Sequence, residues 1–241
     1  MAKGIFIVGT DTDVGKTVVS GGLMYLLLTQ GYNACYFKPV LSGASIEKGQ
    51  LIPGDTRFVK WISGLEEETH HITPYSFQTP VSPHLAARIE NRSIDINAIQ
   101  EKFEYLKSQY DYIVAEGSGG FAVPLNDKGY MLYHLIQALN IGIIVVARAG
   151  LGTINHTILT VMAAQNMKIP VKGIMINGYD ASALCDNDNI KTIKRVTGLP
   201  VLGVIPKLEN VYVEKLQTGN LKDVFRKEID ISSIVELMTD L

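Results

Sequence analysis

Residues 5–17 read I-F-I-V-G-T-D-T-D-V-G-K-T, an apolar run that passes into G-T-D-T-D-V-G-K-T at Gly9–Thr17. A short buried strand, a glycine-bearing turn and a helix entry in this order make a phosphate-binding loop. Its backbone N–H groups wrap phosphates, Lys16 reaches the terminal ones and the Thr17 hydroxyl takes a place on Mg²⁺. The usual spacing G-x-x-x-x-G-K-[ST] would put a glycine at position 10, but Thr10 stands there and Gly9 comes one residue early.

Outward from this loop, apolar runs at Gly4 to Val8, Ala34 to Phe37, Tyr112 to Ala115, Ile141 to Ala147, Val171 to Ile176 and Val201 to Ile205 read as strands. They are continuous rather than alternating, the pattern of strands covered on both faces. Helical periodicity lies between them, at Lys16 to Gln30, Asp95 to Gln109, Thr153 to Asn166, Asn187 to Val196 and the tail from Val211 onward. The expected fold is α/β, a doubly wound, mostly parallel sheet flanked by helices, of the P-loop NTPase type. No linker-like stretch or charge block divides the chain, so residues 1–241 are expected to form one domain.

Composition narrows the partners. With 46% hydrophobic and 19% charged residues and a net charge of −2, a nucleic-acid surface is disfavoured and small-molecule partners are expected. The first apolar run is six residues, Gly4 to Gly9, too short for a membrane span or signal peptide. Cys35 and Cys185 are the two cysteines and form no C-x-x-C, which fits a reducing, cytoplasmic setting.

In doubly wound sheets ligands bind beyond the carboxyl ends of the strands. There the chain places the loop, then Lys38-Pro39-Val40-Leu41-Ser42-Gly43, then Glu116-Gly117-Ser118-Gly119-Gly120. Glu116 closes a buried strand and should meet water at the rim or hold a cation, Mg²⁺ beside a phosphate loop being the sharper reading. The glycines after it allow close backbone approach to phosphate. Lys38, held extended by Pro39, reads either as an exposed lysine or as a point charge for a transferred phosphoryl group. Asp55 reads first as a helix N-cap, with a second metal carboxylate as the alternative. The turn Leu151 to His156 offers free N–H groups or an ordinary cap. Asn177-Gly178 is a turn dipeptide that could also reach a purine, and Asn177-x-x-Asp180 lacks the lysine of a guanine reader. His70-His71 reads as a solvated pair.

Together these stretches resemble the dethiobiotin synthetase family over nearly the full length. The resemblance rests on G-T-D-T-D-V-G-K-T with its displaced glycine, Tyr36-Phe37-Lys38-Pro39-Val40 with Ser42-Gly43, and Gly54-Asp55. It extends to Thr79-Pro80-Val81-Ser82-Pro83-His84, Glu116-Gly117-Ser118-Gly119-Gly120, Gly152-Thr153-Ile154-Asn155-His156 and Gly203-Val204-Ile205-Pro206. The tail after about Leu208 carries no assignable motif.

The resemblance implies a homodimer that closes diaminopelargonic acid and CO₂ into dethiobiotin with ATP and Mg²⁺, releasing ADP and phosphate. It implies that Asp13, Val14, Gly15, Lys16, Thr17 and Val18 hold nucleotide phosphates, that Thr17, Asp55 and Glu116 hold Mg²⁺, and that Lys38 is the active-site lysine beside Lys16. Gly117, Ser118 and Gly119 would approach the nucleotide, and Asn177, Gly178, Pro206, Lys207 and Leu208 would border its base. Thr12 and Ser42 would meet the diamine or its carbamate. Gly152, Thr153 and Asn155 would take the distal carboxylate across the subunit interface. Asp13 stands where some members carry glutamate.

The alternative is a P-loop ATPase switch of the partitioning or septum-positioning class. Such proteins carry an extra lysine early in the loop, where this chain has Thr10 and Asp11, and no basic membrane helix closes the chain. A cobyrinic acid amidation domain would need a glutaminase partner domain, for which the chain has no room. A non-catalytic nucleotide-binding module would not require Lys38, Ser42 and the G-T-I-N-H turn together.

Overall fold

The computed structural model describes residues 1–241. Strand β1 (Lys3–Gly9) runs into the loop, and helix α1 (Lys16–Thr29) leaves it. β2 (Ala34–Phe37) is followed by an excursion of short elements. These are β3 (Val40–Ser42), the hairpin strands β4 (Ser45–Glu47) and β5 (Gln50–Ile52), α2 (Gly54–Ser63), α3 (Thr69–Ile72), β6 (Tyr75–Phe77) and α4 (Pro83–Ile89). Helix α5 (Ile96–Gln109) returns the chain to β7 (Tyr112–Gly120). Alternation then resumes through α6 (Leu132–Ala138), β8 (Ile143–Arg148), α7 (Thr153–Asn166), β9 (Val171–Tyr179), α8 (Asp186–Thr197) and β10 (Val201–Pro206).

The main sheet has the order β10-β9-β8-β1-β7-β2, and its neighbours pair in parallel. Parallel strands need helical crossovers that cover both faces, which is why the strand sequences lack polar alternation. Ile5, Phe6, Ile7 and Val8 are all fully buried at its centre. The strand order reverses at β1, so the loop after β1 opens at the switch point where such sheets bind ligands.

Helix α1 fits this position from both ends. Gly15 supplies its N-cap at φ 95 with no side-chain cap, which leaves the first-turn N–H groups open to an anion. Its Leu23, Met24 and Leu27 are fully buried, each side chain contributing about 2 kcal/mol by leaving water. The helix stops at Gly31, whose φ of 82 needs no Cβ. One contiguous cluster of buried apolar side chains runs from Ile5 to Met238.

The tail departs from the sequence expectation. In place of one helical stretch from Val211, it forms the hairpin β11 (Val211–Tyr212) and β12 (Gln217–Thr218) around the 3-10 turn Val213–Lys215. Helices α9 (Leu221–Glu228) and α10 (Ile231–Leu237) follow. The short strand β13 (Thr239–Asp240) closes the chain against Lys3 and Gly4, beside the start of β1, where β8 begins pairing only at Phe6. Leu216 at φ 54 and Gly219 at φ 42 turn the backbone out of any continuous helix. Phe225 of α9 explains Gly22 in α1, because a Cβ at Gly22 would lie 2.2 Å from the phenyl ring.

Candidate active site

The displaced glycine of the loop has a steric cause. A Cβ at Gly9 would lie 2.6 Å from the Asp11 carbonyl oxygen and 2.9 Å from Lys16 Nζ. Lys16 Nζ in turn donates to that carbonyl at 3.0 Å. The lysine therefore folds back over Gly9, where a side chain would collide with it. Lys16 is buried, and burial, with help from the nearby Lys38 charge, lowers its pKa to about 8. Asp13 turns the loop in the left-handed region at φ 57. Gly15 at φ 95 carries a second constraint, since a Cβ there would come within 2.0 Å of Asn177 Nδ2.

Glu116 and Lys38 form the charged centre beside the loop. Glu116 is fully buried and Lys38 only 3% exposed, so Lys38 is not the exposed lysine that its sequence context alone favours. Lys38 Nζ lies 2.6 Å from Asp55 Oδ2 and 2.7 Å from Glu116 Oε1, and it also donates to the Gly117 carbonyl at 3.3 Å. The Thr17 hydroxyl donates to Glu116 Oε1 at 2.9 Å, and the Tyr36 phenol donates to Glu116 Oε2 at 2.7 Å. Glu116 is therefore no solvated turn residue; the cation it meets within the chain is an ammonium.

Burial works against the Lys38 charge, but Asp55 and Glu116 outweigh it and hold the ammonium above the ordinary lysine range. Burial likewise opposes ionisation of Asp55, and the Lys38 charge overcomes it, leaving the carboxyl below its usual range. Asp55 corrects the N-cap expectation. Pro53 occupies the cap of α2 with no side-chain bond, while Asp55 sits in the first turn with its carboxylate on Lys38.

These groups open onto a cavity of about 750 Å³ lined by Thr12, Asp13, Gly15, Lys16, Thr17, Val18, Lys38, Ser42, Asp55, Glu116, Ser118 and Gly119. Ser42 Oγ is buried there with no hydrogen-bond partner, an orphan that a ligand can satisfy. The Ser118 hydroxyl donates to the Val40 carbonyl and ties β7 to β3. The same wall includes Pro80, Val81, Ser82 and Pro83, together with Val213 and Glu214 from the 3-10 turn of the tail. Sequence reasoning assigned none of these six a role, although the Pro80–Pro83 segment lies inside a motif that it singled out.

A second cavity, of about 430 Å³, lies on the other side of the loop against Asp13, Val14, Arg148, Asn177, Gly178 and Lys207. Asn177 Nδ2 donates to the Val14 carbonyl at 3.0 Å, which fixes the amide and turns its oxygen free. Lys207 pairs with Asp180 at 2.8 Å. Pro206 and Leu208 flank Lys207 but do not line this cavity, and Arg148 lines it without having been expected.

Gly152, Thr153 and Asn155 reach neither cavity of their own chain. Gly152 caps α7 at φ 86 without a side-chain bond, and Thr153 is buried at 1% exposure, its Oγ1 3.5 Å from that of Thr157. Leu151 just before α7 is 83% exposed, and Leu159 and Met162 farther along the helix are 56% and 52% exposed, an apolar pair on its outer face.

The donors around Lys38 suit a hard divalent cation. Thr17 Oγ1, Glu116 and Asp55 supply oxygen only, and no group of three or more His, Cys, Asp or Glu side chains forms a cage. Such a set fits Mg²⁺, which keeps waters and takes phosphate oxygens rather than a full shell of protein ligands. Of the pair expected to be solvated, His70 is exposed but His71 is half-buried. His71 Nδ1 lies 2.7 Å from Glu67 Oε1, and the two rings pack 4.0 Å apart. No helix is long and apolar enough to cross a membrane.

Comparison with known proteins identifies the family. The family model AAA_26, described as an AAA domain, matches residues 3–215. The chain is 53% identical over 214 residues to the ATP-dependent dethiobiotin synthetase BioD of Clostridium kluyveri, covering 88% of this chain and 87% of the relative. It is 41% identical to the synthetase of Caldicellulosiruptor saccharolyticus over 240 residues, 98% of each chain. Among solved structures, the septum site-determining protein MinD of Pyrococcus horikoshii, complexed with Mg-ADP, superposes with a TM-score of 0.59 at 17% identity, covering 98% of this chain and 96% of that one. A ParA family ATPase from Chlorobium tepidum gives 0.53 at 13% identity, covering 98% and 94%. At such identities the switch ATPases share the fold alone. By its sequence relatives and the family model, the chain belongs to the dethiobiotin synthetase family.

Proposed function

We infer that the chain is an ATP-dependent ring-closing ligase that converts 7,8-diaminopelargonic acid and CO₂ to dethiobiotin, releasing ADP and phosphate. One observation carries the reading: the phosphate loop, Lys38, Asp55, Glu116 and the orphan Ser42 hydroxyl converge on one cavity, in a chain 53% identical to a dethiobiotin synthetase. Residues 1–241 act as one synthetase domain in this reading, and the two unpaired cysteines suit a cytoplasmic setting.

One substrate amine captures CO₂ as a carbamate. A carbamate oxygen then attacks the γ-phosphorus of ATP and ADP leaves; the second amine attacks the carbonyl carbon of the mixed anhydride, expels phosphate and closes the cyclic urea. No protein nucleophile is required, so the chain's task is positioning and charge neutralisation. Lys16 and the open amides at the start of α1 hold the phosphates. Lys38, kept charged by two carboxylates, stabilises negative charge that builds as the phosphoryl group moves, an effect worth roughly 10²- to 10³-fold for one preorganised donor. Thr12 and Ser42 orient the carbamate.

Thr17, Asp55 and Glu116 would hold Mg²⁺, which when bound neutralises phosphate charge. Gly178, Asn177 and the 206–208 segment border the base. The open N-terminus of α7 at Gly152, Thr153 and Asn155 receives the distal carboxylate of a diamine held by a second copy. The exposed Leu151, Leu159 and Met162 support pairing of two copies at this face. Incubating the protein with MgATP, bicarbonate and diaminopelargonic acid should yield dethiobiotin by mass. Phosphate release without a cyclic urea would overturn the reading.

A further inference from the structure

Tyr36 belongs to none of the roles above, yet it is one of the largest fully buried side chains in the protein. Side chains alternate along a strand, so Tyr36 and Lys38 leave β2 on one face. Phe37 goes to the other, where it packs against Phe103 of α5 with ring centroids 5.4 Å apart. β2 pairs with β7 in the register Tyr36↔Val114 and Phe37↔Ala115, which carries both Tyr36 and Lys38 to Glu116.

At Glu116 the donors divide by oxygen. Oε2 receives the Tyr36 phenol at 2.7 Å, while Oε1 receives the Thr17 hydroxyl at 2.9 Å and Lys38 at 2.7 Å. A buried carboxylate with one unsatisfied oxygen would rotate to share its remaining donors. A phenol on a packed strand prevents that rotation, because its ring has no free rotamer to follow.

We propose that Tyr36 is a positioning residue: by occupying Oε2 it commits Glu116 to present Oε1, and Oε1 alone, to the Thr17 side of the cavity where Mg²⁺ is held. The inference rests on the reading of Thr17, Asp55 and Glu116 as metal ligands. Partners that orient a metal ligand in this way typically govern metal affinity by roughly 10- to 100-fold.

The test is calorimetric binding of ADP to the whole protein, with and without Mg²⁺, for wild type and Tyr36→Phe. The expected result is an unchanged affinity for metal-free ADP and a Mg²⁺-dependent gain in ADP affinity that falls roughly 10- to 100-fold in the variant. A wild-type gain carried over intact to Tyr36→Phe, whether or not its melting temperature drops, assigns the phenol to stability and overturns the inference. A wild-type protein with no metal-dependent gain overturns the metal reading itself. Should Tyr36→Phe not fold, Tyr36→His keeps a donor of shorter reach and is judged on the same gain: reduction supports the inference and wild-type behaviour overturns it.

Discussion

Lys38 Nζ lies 2.6 Å from Asp55 Oδ2, so the residue just past β2 and the first turn of α2 are locked together at the cavity floor. The same ammonium satisfies the fully buried Glu116. Lys38→Gln removes the cation from both carboxylates at once. Turnover should fall roughly 10²- to 10³-fold in a single-turnover assay of phosphate release. Stability should drop by about 3 kcal/mol, the low end for a broken buried pair because Asp55 keeps 31% of its side chain in solvent. Denaturant unfolding measures that loss, and wild-type turnover in a folded Lys38→Gln protein would remove Lys38 from the chemistry.

The loop lysine gives a pH signature. Its pKa is lowered to about 8, so in the free protein Lys16 loses its charge as pH rises through that value. ATP affinity should weaken as pH rises from 7 to 9, and ATP binding should take up a proton near pH 8.5, detectable as a buffer-dependent binding enthalpy. The linkage sign for stability is the reverse. Between about 8 and the unfolded lysine value the unfolded chain binds more protons, so this group's unfavourable contribution is present below about pH 8 and is lifted as pH rises through that window.

Gly15→Ala places a Cβ within 2.0 Å of Asn177 Nδ2 on a backbone at φ 95. Strain in that region costs about 1–3 kcal/mol, and the displaced amide loses its bond to the Val14 carbonyl. Thermal melting should show the destabilisation. Equilibrium dialysis should show weakened nucleotide binding, with a larger loss for ATP than for inorganic triphosphate, because Asn177 lines the cavity proposed for the base.

The apolar face of α7 offers a variant outside both cavities. Leu159 and Met162 are one turn apart and more than half exposed. Leu159→Glu with Met162→Glu should leave the melting temperature of the monomer nearly unchanged and shift sedimentation from two copies to one. Ring closure should fall with the dimer fraction. A monomeric wild type with full activity would rule out carboxylate binding across an interface.

The strands and the long helices were legible because each is a continuous buried run or a full amphipathic period. Helix α7 spans Thr153–Asn166, the bounds that its sequence indicated. Most of the excursion between β2 and α5 was not, since β3, β6, α3 and α4 span three to seven residues and carry no usable period, whereas the start of α2 was signalled at Asp55. Burial of Lys38 escaped for a different reason. Its partner Glu116 stands 78 residues away, and a lysine before a proline looks solvated until a parallel register brings that carboxylate beside it. Val213 and Glu214 were missed because a hairpin, not a helix, returns the tail to the cavity rim.

Asp13 is the one residue that lines both cavities. With β1 at the centre of the sheet, the loop stands as a partition between them. In the proposed reading the β8–β9 side takes only the base, while the phosphates share the β7–β2 side with the diamine. Substitutions along the β8–β9 wall would then retune the Michaelis constant for ATP alone, whereas those at Lys16, Thr17 or Glu116 would move both.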